Sequence, residues 1–239
     1  MIRTAYFMIV LLIMTIIVGT LEIIVGIFSH FTRFSRWIAR LWCRTLVAAA
    51  GVRIEMEGKE NFDPKGAYVI VGNHQSHMDI PVIVTSIPVH FTFVAKKELF
   101  KIPIFGWAMQ AVGIIKIDRG RHEKAVAALR KSEETLKKEH LSLFAFPEGT
   151  RSEDGRMRRF KKGIFILAIN IGLPILPVSI TGTHTILPKK SLRIRPGKVR
   201  VKVHPPVSTD GYSFEGKDDL IEKVHQIIED GIYDQTESF

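Results

Sequence analysis

The chain is short of sulfur, of acidic groups and of flexible linkers, and each shortage narrows what it can be. A single cysteine, Cys43, in 239 residues allows no internal disulfide and supplies too few thiolates for a zinc site. Asp and Glu number 24 against 34 Lys and Arg, a net charge of +10, so anionic partners are favoured: phospholipid headgroups, phosphorylated substrates or nucleic acid. No Pro/Gly/Ser tract divides residues 51–239, and no internal repeat is present, which argues for one domain there. Hydrophobic residues make up 46%, enough to bury a core, so disorder is not the general state.

What the sequence does have begins with a long apolar run. "AYFMIVLLIMTIIVG" continues as "TLEIIVGIF" to Phe28 with one charge, Glu22. It is about long enough to cross a bilayer, for which roughly 20 apolar residues suffice, although a carboxylate near its end is costly in lipid. A cleaved signal peptide fits less well, because only Arg3 precedes the run and no small-x-small site follows it before Glu22. In the next stretch, "FTRFSRWIARLWCRTL", Phe34, Trp37, Ile38, Leu41, Trp42 and Thr45 recur at helical steps, with Arg33, Arg36, Arg40 and Arg44 largely opposite. Aromatic residues on one face and arginines on the other suit the plane of an anionic membrane. Residues 1–50 are therefore expected to be membrane-associating helices. The arginine flank places the domain after it on the cytoplasmic face of the membrane.

After Gly51 the pattern is that of an α/β domain, residues 51–239. "VRIEMEG", "AYVIV", "FTFVA", "GIIKI", "LSLFAF" and "ILPVSI" read as strands. Helices are expected over 79–86, 103–111, 121–139, 160–171 and 217–228, and "LRIRPGKVRVKV" reads as a hairpin around Pro196-Gly197. Strands alternating with helices predict a mixed, largely parallel sheet flanked by helices. In such folds function sits where strands end and helices begin.

Three polar clusters occupy that position: "NHQSHMD", "DRGR" and "PEGTRS". In the first, His74 and Asp79 are spaced for an imidazole general base on a turn, oriented by a carboxylate on the first turn of the next helix. The alternatives are a metal site of His74, His77 and Asp79, or a polar turn with a capping aspartate. A metal needs further ligands, for which only scattered candidates such as His184 and His204 exist, and it leaves the arginine clusters without a role. In the third cluster Gly149 allows close backbone approach to a ligand, and Arg151 offers a planar fork for phosphate oxygens. Arg119, Lys96 and Lys97 are further cations at strand ends. The basic stretch "RMRRFKK" could meet lipid headgroups or an acidic carrier protein.

The ordered set "NHQSHMD", "GIIKIDR", "FPEGTRS" and "LPVSITG", over roughly residues 67–182, resembles the sequence blocks of the glycerolipid acyltransferase family. The stretch "KKELFKIPIFGWAMQAVG" is similar to its lysophosphatidic acid acyltransferase branch. The resemblance implies a glycerolipid acyltransferase fold with an N-terminal membrane segment. It implies transfer of a fatty acyl group from acyl-CoA or acyl carrier protein to the 2-hydroxyl of 1-acylglycerol 3-phosphate, giving phosphatidic acid. It also assigns roles: His74 as base, Asp79 as its orienting partner, and Arg119, Arg151 and Lys96 or Lys97 on the phosphate. Glu148, Gly149 and Thr150 would shape the contacts around the glycerol, and Pro177 lies in the fourth block. No metal or cofactor is implied, because the thioester is already activated. The competing functions are a sibling acyltransferase using glycerol 3-phosphate or another lysophospholipid, and a non-catalytic basic module for membrane or nucleic acid.

Overall fold

The computed structural model describes residues 1–28, 32–118 and 120–236. Two helices open the chain, α1 (Ile2–Phe28) and α2 (Arg33–Ala50). Helix α2 has a side-chain cap at its start, where Thr32 Oγ1 accepts the Ser35 N–H at 3.0 Å. It ends at Gly51, whose φ of 72° is a left-handed conformation that costs glycine little. The α/β part comes next: β1 (Val52–Glu57), β2 (Val69–Gly72), α3 (Asp79–Ser86), β3 (Phe91–Lys96), α4 (Phe105–Ala111), β4 (Ile115–Ile117) and α5 (His122–Lys138). Then come β5 (Ser142–Ala145), α6 (Gly163–Ile171), β6 (Ile175–Thr181), α7 (Thr183–Ile186), β7 (Gly197–Val203) and α8 (Lys217–Thr236).

The seven strands form one sheet in the order β1-β7-β6-β2-β5-β3-β4. Strands β6, β2, β5, β3 and β4 run parallel; β7 is antiparallel to β6 and parallel to β1. The mixed, largely parallel sheet expected from the alternation is therefore what forms. Its central strands are continuous apolar runs because both faces are covered. Ile70 and Phe144 point into one core, shared with α2 and α3, while Val69, Val71, Leu143 and Ala145 point into the other, shared with α5, α6 and α8. All but Ala145, at 6%, are 0% exposed. Truncating Phe144 to alanine would cost about 3–5 kcal/mol, the range for a buried aromatic.

One local expectation fails for a long-range reason. "LRIRPGKVRVKV" makes one strand, not a hairpin. Its first half gives its backbone donors to other elements: Ile194 N–H to Thr4 Oγ1 in α1 at 3.1 Å, and Arg195 N–H to the Ile186 carbonyl in α7 at 3.0 Å. Helix α2 keeps part of its expected apolar face outward and turns the rest inward with two of its arginines. Ile38, Cys43, Leu46 and Val47 are buried, whereas Phe34, Trp37 and Leu41 are exposed. Packed between α1 and α3, it has two inward flanks, and Arg36 and Arg40 are half-buried on one of them.

Helix α1 lies along the body. Phe7 joins the first core, Gly19 packs on Ile104, and Gly26 packs on Ala111 of α4. Its buried Glu22 accepts a hydrogen bond from Ser35. The opposite face, including Ile9, Leu12, Ile13, Ile16 and Ile17, is exposed.

Candidate active site

Parallel strands β2, β5, β3 and β4 end at the same edge of the sheet, so residues far apart in sequence meet there. β2 and β5 are direct neighbours and β3 is next, at about 4.8 Å per strand. The turn after β2 carries His74, the turn after β5 carries Phe146 to Arg151, and β3 ends at Lys96.

His74 is held from every side. Its Nδ1 is 2.7 Å from Asp79 Oδ2, with the imidazole 12% exposed and Asp79 fully buried. Asp79 is the first residue of α3, where a helix N-terminus favours a carboxylate. The same Oδ2 accepts the N–H groups of Gln75 at 2.8 Å and Ser76 at 2.9 Å. With two backbone donors already on this oxygen, Asp79 acts as the acceptor and Nδ1 as the donor. The other ring nitrogen, Nε2, is then left without a proton. The ring stacks on Phe146 with centroids 4.0 Å apart and planes 10° apart.

The imidazole opens into a cavity of about 460 Å³. Thr150, Arg151, Lys96 and His77 line it near His74; Val94, Leu99, Met109 and Ile114 line it further in. Its lining also includes Glu22, Arg36 and Arg40, from the two N-terminal helices. Arg40 donates to the carbonyl of Ile87, just past α3, at 2.6 Å. The eight residues of α3 separate that point from Asp79 by about 12 Å at 1.5 Å per residue, so the cavity extends well below the site.

The phosphate candidates fare differently. Arg151 lines the cavity, and its buried Nη1 has no hydrogen-bond partner. Desolvation draws this guanidinium below its ordinary pKa, with Asp79 opposing the shift. Lys96 also lines the cavity and meets Glu98 only at 3.6 Å. Lys97 does not line it: its Nζ is bound to Asp118 Oδ2 at 2.7 Å, an ion pair that lowers the Asp118 pKa. Arg119 lies outside the described residues.

Within the turn after β5, Thr150 reaches the cavity wall, whereas Glu148 and Gly149 do not. Glu148 is 4% exposed and accepts two backbone donors, His74 N–H at 2.7 Å and Arg158 N–H at 3.1 Å. Gly149, with φ of 73°, makes the turn possible. Pro177 is buried mid-strand in β6, opposite Val71, away from the cavity. His184 contacts Gln75, and His204 pairs with Ser179 at 2.8 Å. Among the described residues no group of three or more His, Cys, Asp or Glu side chains is arranged to hold a metal ion.

One participant escaped the sequence reading, and another was weighed there only as a metal ligand. Phe146 could have been suspected from its place between the apolar strand and the P-E-G turn. His77, second in the H-x-x-H pair, lines the cavity in its own right; desolvation, then Arg151 and His74, hold it below the ordinary imidazole pKa.

A family model described as Acyltransferase matches residues 53–181, more than half of the chain. The chain is 36% identical over 177 residues to a 1-acyl-sn-glycerol-3-phosphate acyltransferase of Limnanthes alba, covering 74% of this chain and 62% of that protein. It is 34% identical over 187 residues to the alpha form of Homo sapiens, covering 78% and 66%. The chain thus spans about three-fifths of the length of the curated relatives it matches. A solved structure, the 1-acyl-sn-glycerophosphate acyltransferase PlsC from Thermotoga maritima, superposes with a TM-score of 0.81 at 32% identity, covering 98% of this chain and 95% of that one. From the motif order, the sheet and these matches together, the chain belongs to the acyltransferase family.

Proposed function

We propose that the protein transfers a fatty acyl group from an acyl thioester to the 2-hydroxyl of 1-acylglycerol 3-phosphate, releasing phosphatidic acid. The observation that carries this reading is the pairing of His74 with buried Asp79 at the mouth of a largely apolar cavity, beside the unpartnered Arg151 Nη1. A lysophosphatidate has the matching parts: an aliphatic chain, a free hydroxyl and a phosphate monoester. The names of the relatives supply the same substrate.

The chemistry needs little else. Asp79 holds the Nδ1 proton, so Nε2 accepts the proton of the attacking hydroxyl. The hydroxyl oxygen adds to the thioester carbonyl, and a tetrahedral oxyanion forms. Its collapse expels the thiolate, which takes the proton from His74 and leaves as a thiol. Arg151 and Lys96 hold the phosphate across the strand ends, with Arg119 from the second motif as a third cation. The apolar cavity takes an acyl chain. The donor is acyl-CoA or acyl carrier protein, both anionic and suited to the basic surface. The thioester is the activated group, so the step calls for no cofactor.

Helix α1 is the one described helix long and apolar enough to cross a membrane. In this reading it lies in one leaflet. Thr4 near its start and Gly26 near its end both contact the body, about 33 Å apart at 1.5 Å per residue. A transverse helix would carry α4 and the approach to β7 into the hydrocarbon with it. Its exposed apolar face and the stacked, exposed Phe34–Trp37 pair suit shallow insertion, and the arginines of α2 favour an anionic cytoplasmic leaflet.

The test is acyl transfer by detergent-solubilised protein to lysophosphatidate, with acyl-CoA and acyl carrier protein thioesters offered separately. Phosphatidate formation by the wild type and its loss in His74→Ala are expected. No product from either donor would sink the assignment, and activity surviving His74→Ala would sink the general-base mechanism.

A further inference from the structure

The carboxylate of Glu148 is committed to the backbone. One oxygen accepts the N–H of His74 at 2.7 Å; the other accepts the N–H of Arg158 at 3.1 Å. The carbonyl of His74 accepts the Ser152 N–H at 2.8 Å, so both peptide groups flanking the His74 α-carbon are tied to the turn after β5. Lys161 N–H donates to the Pro147 carbonyl at 2.9 Å, adding a second tie from the basic loop to the same turn. Glu148 is 4% exposed and absent from the cavity wall, unlike Thr150 and Arg151.

We propose that Glu148 is a positioning residue for the acyl transfer, fixing the His74 backbone against the basic loop of residues 153–162 without touching the acceptor. The inference rests on the acyltransferase reading but departs from the role in glycerol contact that the motif implies. A carboxylate is required because two amide donors arrive from opposite segments, one for each oxygen. Glutamine offers one acceptor oxygen, and its amide group would face an N–H with another N–H. Aspartate is one methylene too short to reach both.

The site also has a built-in pH response. Burial pushes the Glu148 pKa up to about 7, and Asp79 on the neighbouring turn adds to the shift. The two backbone donors and the Arg158 side chain oppose it; Arg151 in the same turn and His74 and Lys161 beside it are further titratable groups. Protonation turns one acceptor oxygen into a donor, so one of the two N–H bonds must be lost. Activity therefore falls on the acid side as this group takes up its proton.

The experiment is steady-state acylation of lysophosphatidate at saturating donor, from pH 5 to 8, for wild type, Glu148→Gln and Glu148→Asp. In the glutamine variant kcat should fall about 10- to 100-fold, the scale for a misplaced catalytic group, with the acceptor KM within about twofold of wild type. The acid-side fall of kcat in wild type should include a component near pH 7 that the glutamine variant lacks. The aspartate variant should recover part of kcat. A raised acceptor KM at unchanged kcat would make Glu148 a substrate contact and overturn the proposal. So would a wild-type kcat without that component, a result that needs no variant to fold. Absence of phosphatidate from the wild type would instead remove the reading beneath it.

Discussion

Two turns meet around one imidazole, and they do different work. The turn after β2 carries the proposed general base and its partner, His74 and Asp79, five residues apart and joined through side chains. The turn after β5 carries no proton acceptor for the substrate; it supplies the stacking ring of Phe146, the backbone clamp of Glu148 and the cation of Arg151. Both contain a buried carboxylate, yet the environments differ. Asp79 sits at a helix N-terminus with three donors on one oxygen. Glu148 has one donor on each oxygen and a pKa raised to about 7 by burial. A carboxylate's role here depends on the groups it bonds, not on its type.

The sharpest way to separate the turns is Asp79→Asn. It leaves the shape but removes the charge that holds the imidazole tautomer, and kcat should drop about 10²- to 10⁴-fold, the range for general-base catalysis. A drop below tenfold would place the chemistry elsewhere.

Next in size is the pH dependence of stability owed to Glu148. Its folded pKa, about 7, lies above the ordinary 4.5, so the folded state holds this proton more tightly than the unfolded one. The ionised form is then a cost that is absent below pH 4.5 and complete above pH 7. At 1.36 kcal/mol per unit it amounts to about 3 kcal/mol. Chemical denaturation at pH 4.5 and pH 8 should show wild type losing that much more stability on the rise than Glu148→Gln. Parallel curves for the two proteins would contradict it.

Arg151→Ala should act on binding, not on the proton. Loss of a charged hydrogen bond, about 1.5–3 kcal/mol, corresponds to a roughly 10- to 150-fold rise in the lysophosphatidate KM with kcat much less affected. An equal fall in kcat at constant KM would move Arg151 into the transition state. The smallest expected change is Phe146→Leu, which removes the ring under His74 while keeping an apolar side chain. A stacking contribution of about 0.5–1.5 kcal/mol predicts at most a roughly tenfold fall in kcat, measured beside Glu148→Gln.

Much of this was legible before the fold was known, where the signal was local. The apolar runs became strands because each is long enough to span a sheet covered on both faces. The helix over 79–86 ends before Pro88, and the H-x-x-x-x-D spacing brings base and carboxylate together through a single turn. The failures share a cause. Residues 192–195 alternate like a strand, but Thr4 and Ile186 take their donors. The periodicity of α2 marks an amphipathic helix, yet α1 and α3 together decide which side is inside. Lys96 and Lys97 cannot be told apart in sequence; the ion pair to Asp118 separates them.

By itself, then, the sequence determined most of the strands and helices, the residue types at each turn and the long apolar N-terminal helix, all set by interactions among residues a few positions apart. The order β2-β5-β3 decided the rest. It brought residues 74, 96 and 151 to one cavity and set the Glu148 carboxylate against the backbone of His74. Such pairings join segments more than fifty residues apart, and their free energy depends on packing across the whole sheet, which no local pattern encodes.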